Sequence, residues 1–61
     1  MIIETSSNQF FQVKDATISN GQVLDHAWLG FAVKRVKGVW VPKAGAREML
    51  VRKAATRIVE A

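Results

Sequence analysis

The chain has one histidine, His26, and an aspartate, Asp15, that a hairpin between them would bring alongside it. A His–Asp pair is two-thirds of a hydrolytic triad and can orient a general base. The third member is missing: there is no Cys, and Ser6, Ser7 and Ser19 have no neighbours that would activate a hydroxyl. Asp15 and His26 therefore read as a cross-strand polar pair. One His with scattered carboxylates lacks metal-ligand spacing, and no Gly-x-x-x-x-Gly-Lys or Gly-x-Gly-x-x-Gly run is present to cradle a phosphate. The expectation is a protein that is not an enzyme and uses no cofactor or metal.

The residues left to carry function are cations and tryptophans. Residues 1–32 hold Lys14 against Glu4, Asp15 and Asp25, a local charge of −2. Residues 33–61 hold Lys34, Arg35, Lys37, Lys43, Arg47, Arg52, Lys53 and Arg57 against Glu48 and Glu60, a local charge of +6. This asymmetry favours a polyanionic or acidic partner, either nucleic acid (DNA or RNA) or an acidic protein surface. Trp28 and Trp40 add aromatic surface beside those cations.

The elements that must position these groups are short. Asn20-Gly21, between Ala16-Thr17-Ile18-Ser19 and Gln22-Val23-Leu24, supplies the two positive φ values of a type I′ turn. Its register sets Ile18 against Val23, Asp15 against His26, Val13 against Trp28, Phe11 against Gly30 and Phe10 against Phe31. A second turn at Val36-Lys37-Gly38 suits a three-residue bulged hairpin, pairing Val33 with Val41, Lys34 with Trp40 and Arg35 with Val39. Pro42 cannot donate to a ladder and ends that strand. The strand of residues 22–35 is too long to be regular and is expected to kink near Gly30.

From Gly45 onward the spacing turns helical. Leu50, Val51, Ala54, Ile58 and Ala61 form an apolar stripe, Gly45 serves as N-cap, and Glu48 and Arg52 are four apart in the favourable order. The predicted fold is a single α+β domain: strands at about 2–5, 10–18, 22–35 and 39–42, an antiparallel meander of three to four strands, then a C-terminal helix over 45–60 packed on one sheet face.

Alternation then divides the side chains. Phe10, Ala16, Ile18, Val23, Ala27, Leu29, Phe31, Val33, Val39 and Val41 form the face that the helix covers. Phe11, Val13, Leu24, His26, Trp28, Lys34 and Trp40 form the other, which a lone helix cannot also cover. An uncovered face with both tryptophans is either a stacking platform for bases or a contact surface for a protein, a second copy included. In a third reading, a bulge at Gly30 turns one tryptophan inward.

The predicted function is a small basic regulatory protein that binds nucleic acid through Lys34, Arg35, Lys37, Trp40, Lys43, Arg47, Arg52, Lys53, Arg57 and Trp28. The alternative is a protein-binding adaptor or inhibitor that docks through the aromatic face, with a homodimer compatible with so small a domain. Size and charge suit the compact basic products of phages and mobile elements. No signal-like start or membrane-length apolar run is present, so the expected compartment is the cytoplasm, without a membrane partner. In length, in Met1-Ile2-Ile3-Glu4-Thr5 and in Arg47-Glu48, the chain resembles the carbon-storage-regulator family of small RNA-binding dimers. It lacks that family's glycines in the second and fourth strands and the strand expected between Pro42 and the helix. No residue role is carried over from that family.

Overall fold

A computed structural model describes residues 1–14, 18–19, 22–23 and 26–60. Among these residues eight strands run in chain order: β1 (Ile2–Thr5), β2 (Phe10–Val13), β3 (Ile18–Ser19), β4 (Gln22–Val23), β5 (Ala27–Val36), β6 (Val39–Pro42), β7 (Met49–Arg52) and β8 (Thr56–Glu60). Among the described residues there is no helix. β3 and β4 form a two-stranded ladder, and the other six make one antiparallel sheet in the order β6-β5-β2-β1-β8, with β7 also on β5.

The C-terminal helix is thus replaced by β7 and β8. Gly45 is not an N-cap: it sits at φ 74° in a turn, where Ala46 N–H donates to the Lys43 carbonyl at 3.0 Å. Glu48 pairs with Lys14 at 3.2 Å rather than with Arg52. Leu50 and Ile58 of the supposed apolar stripe are exposed. The cause is tertiary. β5 and β1 each have a free ladder edge, and Met49-Leu50-Val51-Arg52 and Thr56-Arg57-Ile58-Val59 fill those edges with largely apolar and β-branched chain. Local helical periodicity is a weaker constraint than those tertiary ladder hydrogen bonds.

β6 and β7 lie along the same margin of β5. Lys43 N–H still donates to the Ala32 carbonyl at 3.0 Å, the chain then loops out over residues 44–48, and Met49 rejoins opposite Gly30. β7 and β8 are joined by the turn Lys53-Ala54-Ala55, yet they stand four strand spacings apart along β7-β5-β2-β1-β8. In a flat sheet that separation would be roughly 19 Å. The chain from Arg52 to Thr56 reaches at most about 14 Å even when extended. The sheet must therefore curl until its two margins approach. Trp28 Nε1, on β5, donates to Thr56 Oγ1, on β8, at 3.3 Å across that gap.

The buried centre is Ile3, Phe11 and Val13, with Met1, Trp28, Ala32 and Val51 packed against it. Register explains this grouping: Ile3 faces Phe11, Phe11 faces Ala32, Val13 faces Gly30 and Trp28 faces Val51. The face expected to be open is therefore the one that carries the core. On the face expected under a helix, Ala27 and Val33 are buried, while Phe10, Leu29 and Phe31 are half-buried.

Two predicted registers change. Ile18 does pair with Val23, and Ser19 with Gln22. Farther out, however, Phe10 pairs with Val33, Phe11 with Ala32 and Val13 with Gly30, two residues beyond the expected partners. The Asn20-Gly21 turn, the Asp15 partner of His26, and the faces assigned to Ala16, Leu24 and Ala61 lie outside the described residues. β5 is continuous from Ala27 to Val36, through Gly30.

The second change is at the β5–β6 turn. Lys37 (φ 51°) and Gly38 (φ 82°) make a two-residue type I′ turn, which pairs Val36 with Val39, Arg35 with Trp40, Lys34 with Val41 and Val33 with Pro42. One residue of slip exchanges the faces of a whole strand. Trp40 accordingly leaves the side of Trp28 and joins Phe10, Val33 and Arg35.

Candidate nucleic-acid interface

The end of the β5–β6 hairpin gathers Lys34, Arg35, Lys37 and, at its base, Lys43, all exposed. Among the described residues none of the four has a carboxylate partner. Trp40 supplies the aromatic component. Its ring centroid lies 5.1 Å from that of Phe10 at 45°, and the Arg35 guanidinium lies 5.4 Å from the Trp40 centroid. Trp40 Nε1 donates to Glu60 Oε2, which ties β6 to β8. The indole is half-buried and already contacted by three side chains, so it is a braced wall more than a bare stacking surface.

Trp28 belongs elsewhere. It packs on the core, its Nε1 is held by Thr56, and the Lys53 ammonium sits 4.4 Å from its ring centroid. Thr56 Oγ1 also donates to the Lys53 carbonyl at 2.5 Å, so the β7–β8 turn and the indole brace each other. The single platform with both tryptophans is thereby corrected to two separate aromatic sites on opposite sides of β5.

The remaining predicted cations are dispersed. Arg57 is committed to Glu4 (Nη2 to Oε1 2.6 Å, Nε to Oε1 2.8 Å) beside a shallow depression also lined by Thr5, Ser6, Asn8, Ala55 and Thr56. Arg52 ends β7 opposite Ala27, and Arg47 lies in the loop before β7; both are exposed. His26 is exposed, with its carbonyl accepting the Lys53 N–H at 2.9 Å. Among the described residues no three His, Asp or Glu side chains group to hold a metal ion, and no helix is long and apolar enough to cross a membrane.

Phe10, Glu60, Val36 and Val39 take part in or flank this hairpin site, and the sequence reading assigned them no such role. The signal that would have placed them is the length of the Lys37-Gly38 turn, because register decides which side chains surround Trp40. No family model matches the chain, and no curated protein or solved structure matches it significantly.

Proposed function

We propose that the protein is a non-enzymatic nucleic-acid-binding protein with a regulatory role. The observation that carries this reading is the cluster Lys34, Arg35, Lys37 and Lys43, exposed on one hairpin and its base and, among the described residues, without carboxylate partners. Clustered cations release counterions when they meet phosphates, giving an affinity that falls steeply with salt. Titration with mixed oligonucleotides at about 50 and about 200 mM salt tests it, with a clear loss of affinity expected between the two. Salt-independent binding, or none, overturns the reading.

A second reading, a protein-binding adaptor or self-associating module, is favoured by a different set of residues. Met49, Leu50 and Ile58, on β7 and β8, are large apolar side chains left exposed. Its discriminating test is sedimentation of the wild type and of Leu50→Ser. A concentration-dependent mass that the substitution abolishes supports it, and a monomer throughout removes its self-association form.

A further inference from the structure

We infer that the partner is B-form duplex DNA and that the end of the β5–β6 hairpin enters its major groove tip first. This rests on the nucleic-acid reading above and narrows it to one ligand. β2 accompanies β5 only as far as the pair Phe10–Val33. Beyond that pair Lys34, Arg35 and Val36 are, among the described residues, laddered to β6 alone, so the hairpin backbone continues past β2 as a two-stranded ribbon, with the Trp40 side chain reaching back to Phe10 and Glu60. Three residues per strand give a projection of roughly 10 Å. The major groove of B-DNA is about 8.5 Å deep and about 12 Å wide and admits such a ribbon, whereas a minor groove about 6 Å wide does not. The major groove of A-form RNA is too deep and narrow for side chains to read.

The chemistry of the tip fits that site. Lys34 and Arg35 are consecutive in a strand and point to opposite faces of the ribbon, one toward each phosphate wall. Lys37 stands at the turn, where the groove floor presents the O6 and N7 acceptors of guanine. Val36 and Val39, paired across the tip, are 42% and 60% exposed and offer apolar surface to thymine methyl groups. A single strand stacked on Trp40 is the weaker fit, because Arg35, Phe10 and Glu60 already engage that indole.

Anisotropy with a labelled DNA duplex, its single strand and an RNA duplex of the same sequence tests the inference. The expected result is roughly tenfold tighter binding to duplex DNA than to the other two, displacement of the major-groove dye methyl green, and retention of the minor-groove ligand distamycin. Lys37→Glu and Arg35→Glu, each checked for a wild-type circular dichroism spectrum, should lower duplex affinity about tenfold or more. Tighter binding to the single strand or the RNA duplex, or displacement of distamycin alone, overturns the groove assignment while leaving nucleic-acid binding intact. Unchanged duplex affinity in two folded variants overturns it equally. Absence of binding to all three ligands at low salt overturns the nucleic-acid reading itself.

Discussion

Gly30 and Gln12 approach so closely that a Cβ on Gly30 would lie 2.1 Å from the Gln12 carbonyl oxygen and 2.7 Å from Val13 Cγ1. The contact falls where β5 serves two ladders, since Gly30 pairs with Val13 on one edge and Met49 on the other. The obstructing atom at 2.1 Å is backbone, so no rotamer change relieves it. Gly30→Ala is expected to destabilise the fold by about 1–3 kcal/mol or more, through forced separation of β2 and β5. Urea denaturation followed by tryptophan emission measures this. A wild-type midpoint would show that the two strands separate freely.

Thr56 is the second point where the curled sheet depends on one side chain. Its hydroxyl accepts from Trp28 Nε1 at 3.3 Å and donates to the Lys53 carbonyl. Thr56→Val keeps the β-branched shape and removes both bonds, leaving a partly buried indole N–H without an acceptor. The expected loss is about 1–2 kcal/mol, with Thr56→Ser recovering most of it. Equal stability of the Val and Ser variants would mean that packing alone joins β5 to β8.

How much of this was legible in the sequence follows from particular residues. Ile2–Thr5 and Val39–Pro42 are strands where apolar runs and a limiting proline place them. The pair Ile18–Val23 follows from Asn20-Gly21. The helix failed because local periodicity over 45–60 does not outweigh two vacant ladder edges on β5 and β1. Those edges arise from chain segments distant in sequence, which a local window does not see. The site failed at one residue: a three-residue turn at Val36-Lys37-Gly38 puts Trp40 beside Trp28, and the observed two-residue turn puts it beside Phe10. The cation cluster survives that error because Lys34, Arg35 and Lys37 belong to the hairpin end in either register.

Ala55 occupies the left-handed region at φ 62° in the β7–β8 turn. A side chain with a Cβ is disfavoured there by about 1–2 kcal/mol, against roughly 0.5–1 kcal/mol for the extra chain entropy that glycine loses. Ala55→Gly should therefore raise stability by about 0.5–1 kcal/mol. For a domain of this size that is a rise of about 4–8 °C in Tm, readable by differential scanning calorimetry. A fall in Tm would mean that the turn relaxes out of this conformation in solution.

Lys37 sets folding against binding at one position. It adopts φ 51° in a type I′ turn, where Asn is the preferred residue before glycine. As a cation at the exposed tip, with no carboxylate partner among the described residues, it does nothing visible for the fold. Lys37→Asn should leave stability unchanged or raise it by a few tenths of a kcal/mol, because Asn tolerates the left-handed region better than lysine. The same substitution removes one phosphate or base contact, so it should weaken nucleic-acid binding. If the contact is to phosphate, the salt dependence should also shallow by about one unit of slope. Thermal melting and a two-salt titration on one preparation read both quantities. A variant that melts at or above the wild-type temperature and binds less tightly separates function from structure at the hairpin tip. One that binds as tightly as the wild type with an unaltered salt slope places the phosphate contacts elsewhere, on Lys43, Arg47 or Arg52 along the β6–β7 margin.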